Sequence, residues 1–115
     1  MANPLKGEIK VSLNNKEYKT RLTIDALMQI EDALGQGIIK VAQRMGEGDV
    51  RIKDLTTVLL PALRGGGNDL QQNDINKIVQ DAGIIEATKV VATLLAQTLT
   101  DDSGEESGGA KAEGK

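Results

Sequence analysis

A chain of 115 residues has room for one small core, and that core must be aliphatic, because Tyr18 is the only aromatic residue. With no cysteine and no histidine, disulfides, thiolate or imidazole metal sites, a cysteine nucleophile and the commonest general base are all excluded. The formal charge of −3 resides in residues 101–115 while residues 1–100 balance acid against base, so no basic patch marks the chain for nucleic acid.

Residues 1–6 lack the apolar run of a secretory signal and read as a flexible N-terminus. No apolar stretch approaches the roughly 20 residues of a membrane span, which predicts a soluble protein. From Gly7 the chain alternates: Ile9, Val11 and Leu13 against Glu8, Lys10 and Ser12, then Tyr18, Thr20 and Leu22 against Glu17, Lys19 and Arg21. A period of two is that of a half-buried strand. Asn14-Asn15 between the two runs tolerates the positive φ of a tight turn. The expectation is a β-hairpin over residues 7–23 whose apolar face packs on helices, since a lone hairpin is marginal in water.

Thr23 is a predicted N-cap, with Asp25 in the first turn to complement the helix dipole. Leu27, Ile30 and Leu34 follow at helical spacing, and Gly35 ends a helix over 24–34. A second helix is predicted over 38–45, closed by Gly46 and Gly48. A third spans 53–64 with Leu55, Val58, Leu59, Ala62 and Leu63 as its stripe, and Pro61 inside it is expected to kink the last turn.

Gly65-Gly66-Gly67 stops that helix. Glycine costs about 0.5–1 kcal/mol relative to alanine inside a regular element, so the run reads as a flexible helix-to-helix connection. It lacks the Gly-Lys-Ser/Thr of a phosphate-binding loop. Arg64 just before it is placed to complement the exposed carbonyls of a helix C-terminus, or to bind a partner.

A fourth helix is predicted over 73–82, with Ile75, Ile78 and Val79 inward and Gly83 as its stop. The fifth, 84–100, is apolar over more than one stripe, from Ile84 and Ile85 to Leu94, Leu95 and Leu99. Such a helix is either central to the fold or has a face left for a partner. Residues 101–115 contain no large apolar side chain and read as a disordered acidic tail. The fold class expected is α+β, mainly α: a hairpin packed on about five short helices in a single domain over 7–100.

The acidic pairs Glu31-Asp32, Glu47-Asp49 and Asp101-Asp102 have no third ligand or base beside them and read as solvated charge. No catalytic, cofactor or metal residue is nominated, and no enzymatic activity is expected. The residues nominated for partner binding are Arg64, Gly65, Gly66, Gly67, Leu94 and Leu95.

The string from Gly7 to Gly35, GEIKVSLNNKEYKTRLTIDALMQIEDALG, resembles the opening of the gene-transfer-agent tail protein family, with its Gly-Glu hairpin, its Tyr before the second strand's Leu-Thr, and its first helix. Leu59, Pro61 and Ala62-Leu63-Arg64-Gly65-Gly66-Gly67 are similar to that family's Leu-Arg-Gly-Gly block, and Gly83 to Leu95 to its final helix. Pro61 departs from the small residues common at its position. The resemblance implies a role in building a long-tailed phage or phage-like particle. On this reading the chain is a tail assembly chaperone that binds the tape-measure protein in the host cytoplasm, with tail tube subunits as further partners. The alternative is a tube or connector subunit retained in the virion. Membranes and nucleic acids are not expected partners, and a homo-oligomer is compatible with either role.

Overall fold

The computed structural model describes the backbone of residues 7–104 and the side chains of residues 7–100. Its elements are β1 (Glu8–Leu13), β2 (Lys16–Arg21), α1 (Ile24–Leu34), α2 (Ile38–Gly46), α3 (Ile52–Gly65), α4 (Gln72–Ala82) and α5 (Ile84–Gly104). The expected mainly α architecture, one hairpin and five helices, is what the chain forms.

The hairpin forms for the reasons its sequence gives. β1 and β2 pair antiparallel with Leu13 opposite Lys16, Val11 opposite Tyr18 and Ile9 opposite Thr20. Asn14 and Asn15 both take left-handed backbone, φ 55° and 64°, as a two-residue turn matched to the strand twist requires. Ile9, Val11 and Leu13 are buried, and Thr20 is buried beside them with its hydroxyl donating to Ile9 O at 2.6 Å. The opposite face carries Glu8, Lys10 and Ser12 against Arg21, Lys19 and Glu17.

Capping sets the helix limits. Thr23 Oγ1 accepts from Ala26 N at 3.1 Å to begin α1, and Gly35, at φ 68°, ends it. Glu31 of α1 reaches forward so that its Oε2 accepts from Ile38 N, 2.8 Å, tying one helix to the start of the next. α3 and α4 share a local device: a carboxylate in the first turn accepts from the backbone N–H three residues earlier. These bonds run from Arg51 N to Asp54 Oδ2 and from Gln71 N to Asp74 Oδ2, each 2.8 Å.

α3 lies at the centre, packed on β2, α1, α4 and α5, while α5 packs on β1, α2, α3 and α4. One aliphatic core joins β1 and the five helices, from Leu13 of the hairpin through Ile30, Val41, Leu59 and Ile75 to Leu95, with Tyr18 of β2 packed against it. α3 continues past Pro61 to Gly65, so the proline ends nothing. α5 buries one stripe, Ala87, Val91, Leu94, Leu95 and Thr98, and leaves Ile84 and Ile85 45% and 74% exposed. The helix is thus central to the fold along this stripe and exposed at its start.

Two expectations fall at the edge of the described chain. α5 runs to Gly104, so the backbone of 101–104 is helical, four residues beyond the expected helix end. The rest of the acidic tail, 105–115, and the N-terminal segment 1–6 lie outside the described residues.

Candidate functional site

The triple glycine is where the helical layer meets the sheet. In this two-residue hairpin the Leu13–Lys16 pair closes the ladder, and bonded pairs alternate with unbonded ones. The carbonyls of Lys19 and Arg21 therefore point away from β1. They point at α3. A Cβ on Gly66 would collide with the Lys19 carbonyl and come within 2.7 Å of Thr20 N. One on Gly65 would collide with Arg21 O and sit 3.2 Å from Arg21 C. Asn68 completes the seam, its Nδ2 donating to Lys19 O at 2.7 Å and to Leu63 O at 3.0 Å.

Gly67 has a separate role. At φ 96° with open space around it, it reverses the chain so that Asn68 N reaches Leu63 O at 3.0 Å, a left-handed helix stop. The expected flexible connection is therefore corrected. Two of the three glycines let backbone touch backbone, and the third makes the stop.

Arg64 sits in the last turn of α3, as expected, but its head bonds forward rather than capping the helix. Its Nε donates to Leu70 O at 2.9 Å and its Nη2 to Gln71 Oε1 at 3.2 Å, which ties α3 to the start of α4. Arg64→Ala is expected to lower stability by about 1 kcal/mol. Arg64→Lys should recover little of it, since one ammonium cannot reproduce the two-pronged contact. Urea denaturation of the three proteins checks this.

Leu94 and Leu95 have no exposed surface. Of the six nominated residues, Gly65 and Gly66 form the seam, Gly67 makes the helix stop, Arg64 ties α3 to α4, and the two leucines lie in the core. Among the described residues, the large aliphatic side chains that do face solvent are Ile24 and Met28, one turn apart on α1, with Ile39, Ile52, Ile84 and Ile85.

A second polar construction was not anticipated. Asp54, 2% exposed, meets Arg44 of α2 in a two-pronged pair: Nη1 to Oδ2 at 3.1 Å and Nη2 to Oδ1 at 3.2 Å. Four of the five guanidinium N–H groups are used, since Nε also donates to Gln36 Oε1 at 2.7 Å and Nη1 to Asp49 O at 3.0 Å. Burial alone would raise the Asp54 pKa. The hydrogen bonds from Arg44 and Arg51 N, with the attraction of both cations, outweigh it and hold the carboxyl below its ordinary value. The bond to Asp54 likewise raises the Arg44 pKa against burial, which would lower it.

The pair floors a cleft of about 320 Å³ between the end of α1, α2 and the start of α3, with Arg51 and Lys53 at its walls. Asp54 is committed to Arg44 there. Glu31, of the first acidic pair, is a helix cap. Among the described residues no three acidic side chains converge as metal ligands, and no helix is long and apolar enough to cross a membrane.

Hairpin, glycine seam and helical layer define a small α+β protein whose most particular feature is a packing joint. Residues 6–101 match the family described as phage tail tube protein, GTA-gp10. The match spans well over half the chain, which belongs to this family of phage and gene-transfer-agent tail proteins. Neither a curated protein nor a solved structure matches it.

Proposed function

We propose that this tail protein acts as an assembly chaperone: it binds the tape-measure protein during tail morphogenesis in the host cytoplasm and leaves before the particle is complete. The observation that carries this reading is the set of exposed aliphatic side chains, Ile24, Met28, Ile39, Ile52, Ile84 and Ile85, spread over α1, α2, α3 and α5. A long helical protein awaiting its tube has apolar stripes that aggregate unless covered. Isolated aliphatic side chains on a helical surface cover such stripes without the aromatic anchors of a permanent interface. Met28 adds a side chain that adapts to irregular surfaces.

The second reading is a tube or connector subunit, and the family's description as a tail tube protein favours it. Against it stands the two-stranded sheet, since stacked rings are ordinarily built on far more β structure. Quantitative mass spectrometry of purified particles separates the two. A chaperone should be absent or present in trace amounts. Ring-like stoichiometry relative to the capsid would establish the structural role instead.

A further inference from the structure

The two edges of the hairpin are treated differently. On β2 the outward carbonyls of Lys19 and Arg21 are covered: Lys19 O accepts from Asn68, and Gly65 and Gly66 press against the carbonyls of Arg21 and Lys19. On β1 the outward groups belong to Glu8, Lys10 and Ser12, which occupy the unbonded positions of the ladder. Among the described residues nothing accepts from the N–H groups of Lys10 and Ser12, and both residues are exposed. α4 and α5 pack on β1, where Ile9, Val11 and Leu13 are buried. They leave this edge open, and an open strand edge is a template for another strand.

The charges on that strand say what fits it. Lys10 stands directly opposite Lys19 on the solvent face, a like-charge pair at the close cross-strand spacing that destabilises a sheet. No carboxylate stands directly across from either lysine, and Glu8 and Glu17 flank the pair only along their own strands. Glu8, two residues away on the same face, faces Arg21. If β1 pairs antiparallel with itself about Ile9, Glu8 of each copy falls opposite Lys10 of the other. The row across the joined sheet then reads Lys19, Lys10, Glu8, Arg21, with a carboxylate beside each lysine pair. The outward N–H and C=O groups of Glu8 and Lys10 are the ones that exchange bonds in that register. The arrangement is two-fold symmetric and closes, so it makes a dimer and not a fibre.

We propose that β1 is a self-association edge, joining two copies into one continuous sheet with Glu8 of one opposite Lys10 of the second. This surface is independent of the exposed aliphatic side chains and holds whichever tail role the protein has.

Size-exclusion chromatography with light scattering on the full chain, loaded at up to roughly 1 mM to reach weak affinities, is the test. The wild type should show a concentration-dependent dimer. Lys10→Pro removes an N–H that the hairpin ladder does not use, and should give a monomer with unchanged helical circular dichroism. Should that variant not fold, charge reversal decides: Lys10→Glu should be monomeric, and Glu8→Lys with Lys10→Glu together should restore the dimer. A wild type that stays monomeric throughout, or a dimer indifferent to both changes at Lys10, overturns the proposal.

Discussion

Gly66→Ala is expected to destabilise the protein by about 3 kcal/mol or more, at the upper end of what overpacking costs. The added methyl has nowhere to go: it meets the Lys19 carbonyl and the Thr20 amide, and both belong to backbone held in the hairpin ladder. No side chain can rotate aside. Either α3 withdraws from β2, opening the core around Leu13 and Leu63, or the hairpin shifts and strains its pairing. Gly65→Ala meets Arg21 O in the same way and should behave alike. The neighbours serve as controls. Gly67→Ala has open space but a φ of 96°, so it should cost only about 1–2 kcal/mol of left-handed strain. Gly46→Ala, in the last turn of α2 with nothing around it, should stabilise by about 0.5–1 kcal/mol. Guanidinium denaturation of the four variants checks the ranking. A Gly66→Ala protein as stable as wild type would mean that the seam is looser than described.

Asp54→Ala should cost about 3 kcal/mol, toward the lower end for breaking a buried pair. Arg44 is left with Gln36 and Asp49 O but loses its counter-charge, and its 13% exposure admits some water in compensation. The loss of the Arg51 N–H acceptor also weakens the start of α3. The pH dependence follows from the sign of the shift. The folded pKa of Asp54 lies below its unfolded value, near 3.9 for an ordinary aspartate. Its contribution is fully present above about pH 4 and is lost as pH falls through the folded value. The wild type should therefore weaken steeply below about pH 4, and Asp54→Ala should lose that part of the slope. Arg44→Met should reverse the sign: Asp54, buried without its cation, would bind its proton more tightly, so stability would fall as pH rises through 4. Denaturation midpoints between pH 3 and 7 for the three proteins decide it.

Local chemistry made most elements legible in the sequence. Asn14-Asn15, Thr23, Gly35 and Gly83 each act through neighbours within a few residues, and they placed the turn, one cap and two stops. The glycine run was legible as a break but not as a joint, because its reason lies in backbone more than forty residues earlier, at Lys19 and Arg21. Arg44 and Asp54 escaped notice for a related cause. They stand on different helices ten residues apart, and only the turn of the connection over 47–51 brings them together. A signal did exist in Asp54 itself, three residues after Arg51 and ahead of an apolar run, but the N-cap carried no Ser or Thr to complete the usual signature. Leu94 and Leu95 were nominated for a partner because the last helix is apolar over a wide arc. Only the packing shows that the surplus lies at Ile84 and Ile85.

The most direct test of the proposed role is co-expression with the tape-measure protein of the same particle, followed by affinity capture and size-exclusion chromatography. A soluble complex is expected, with the tape-measure protein insoluble when expressed alone, and loss of that complex when Ile24 and Met28 are replaced by charged residues on an intact fold. Failure of the two proteins to associate, together with assembly of this chain alone into rings or tubes, would contradict it.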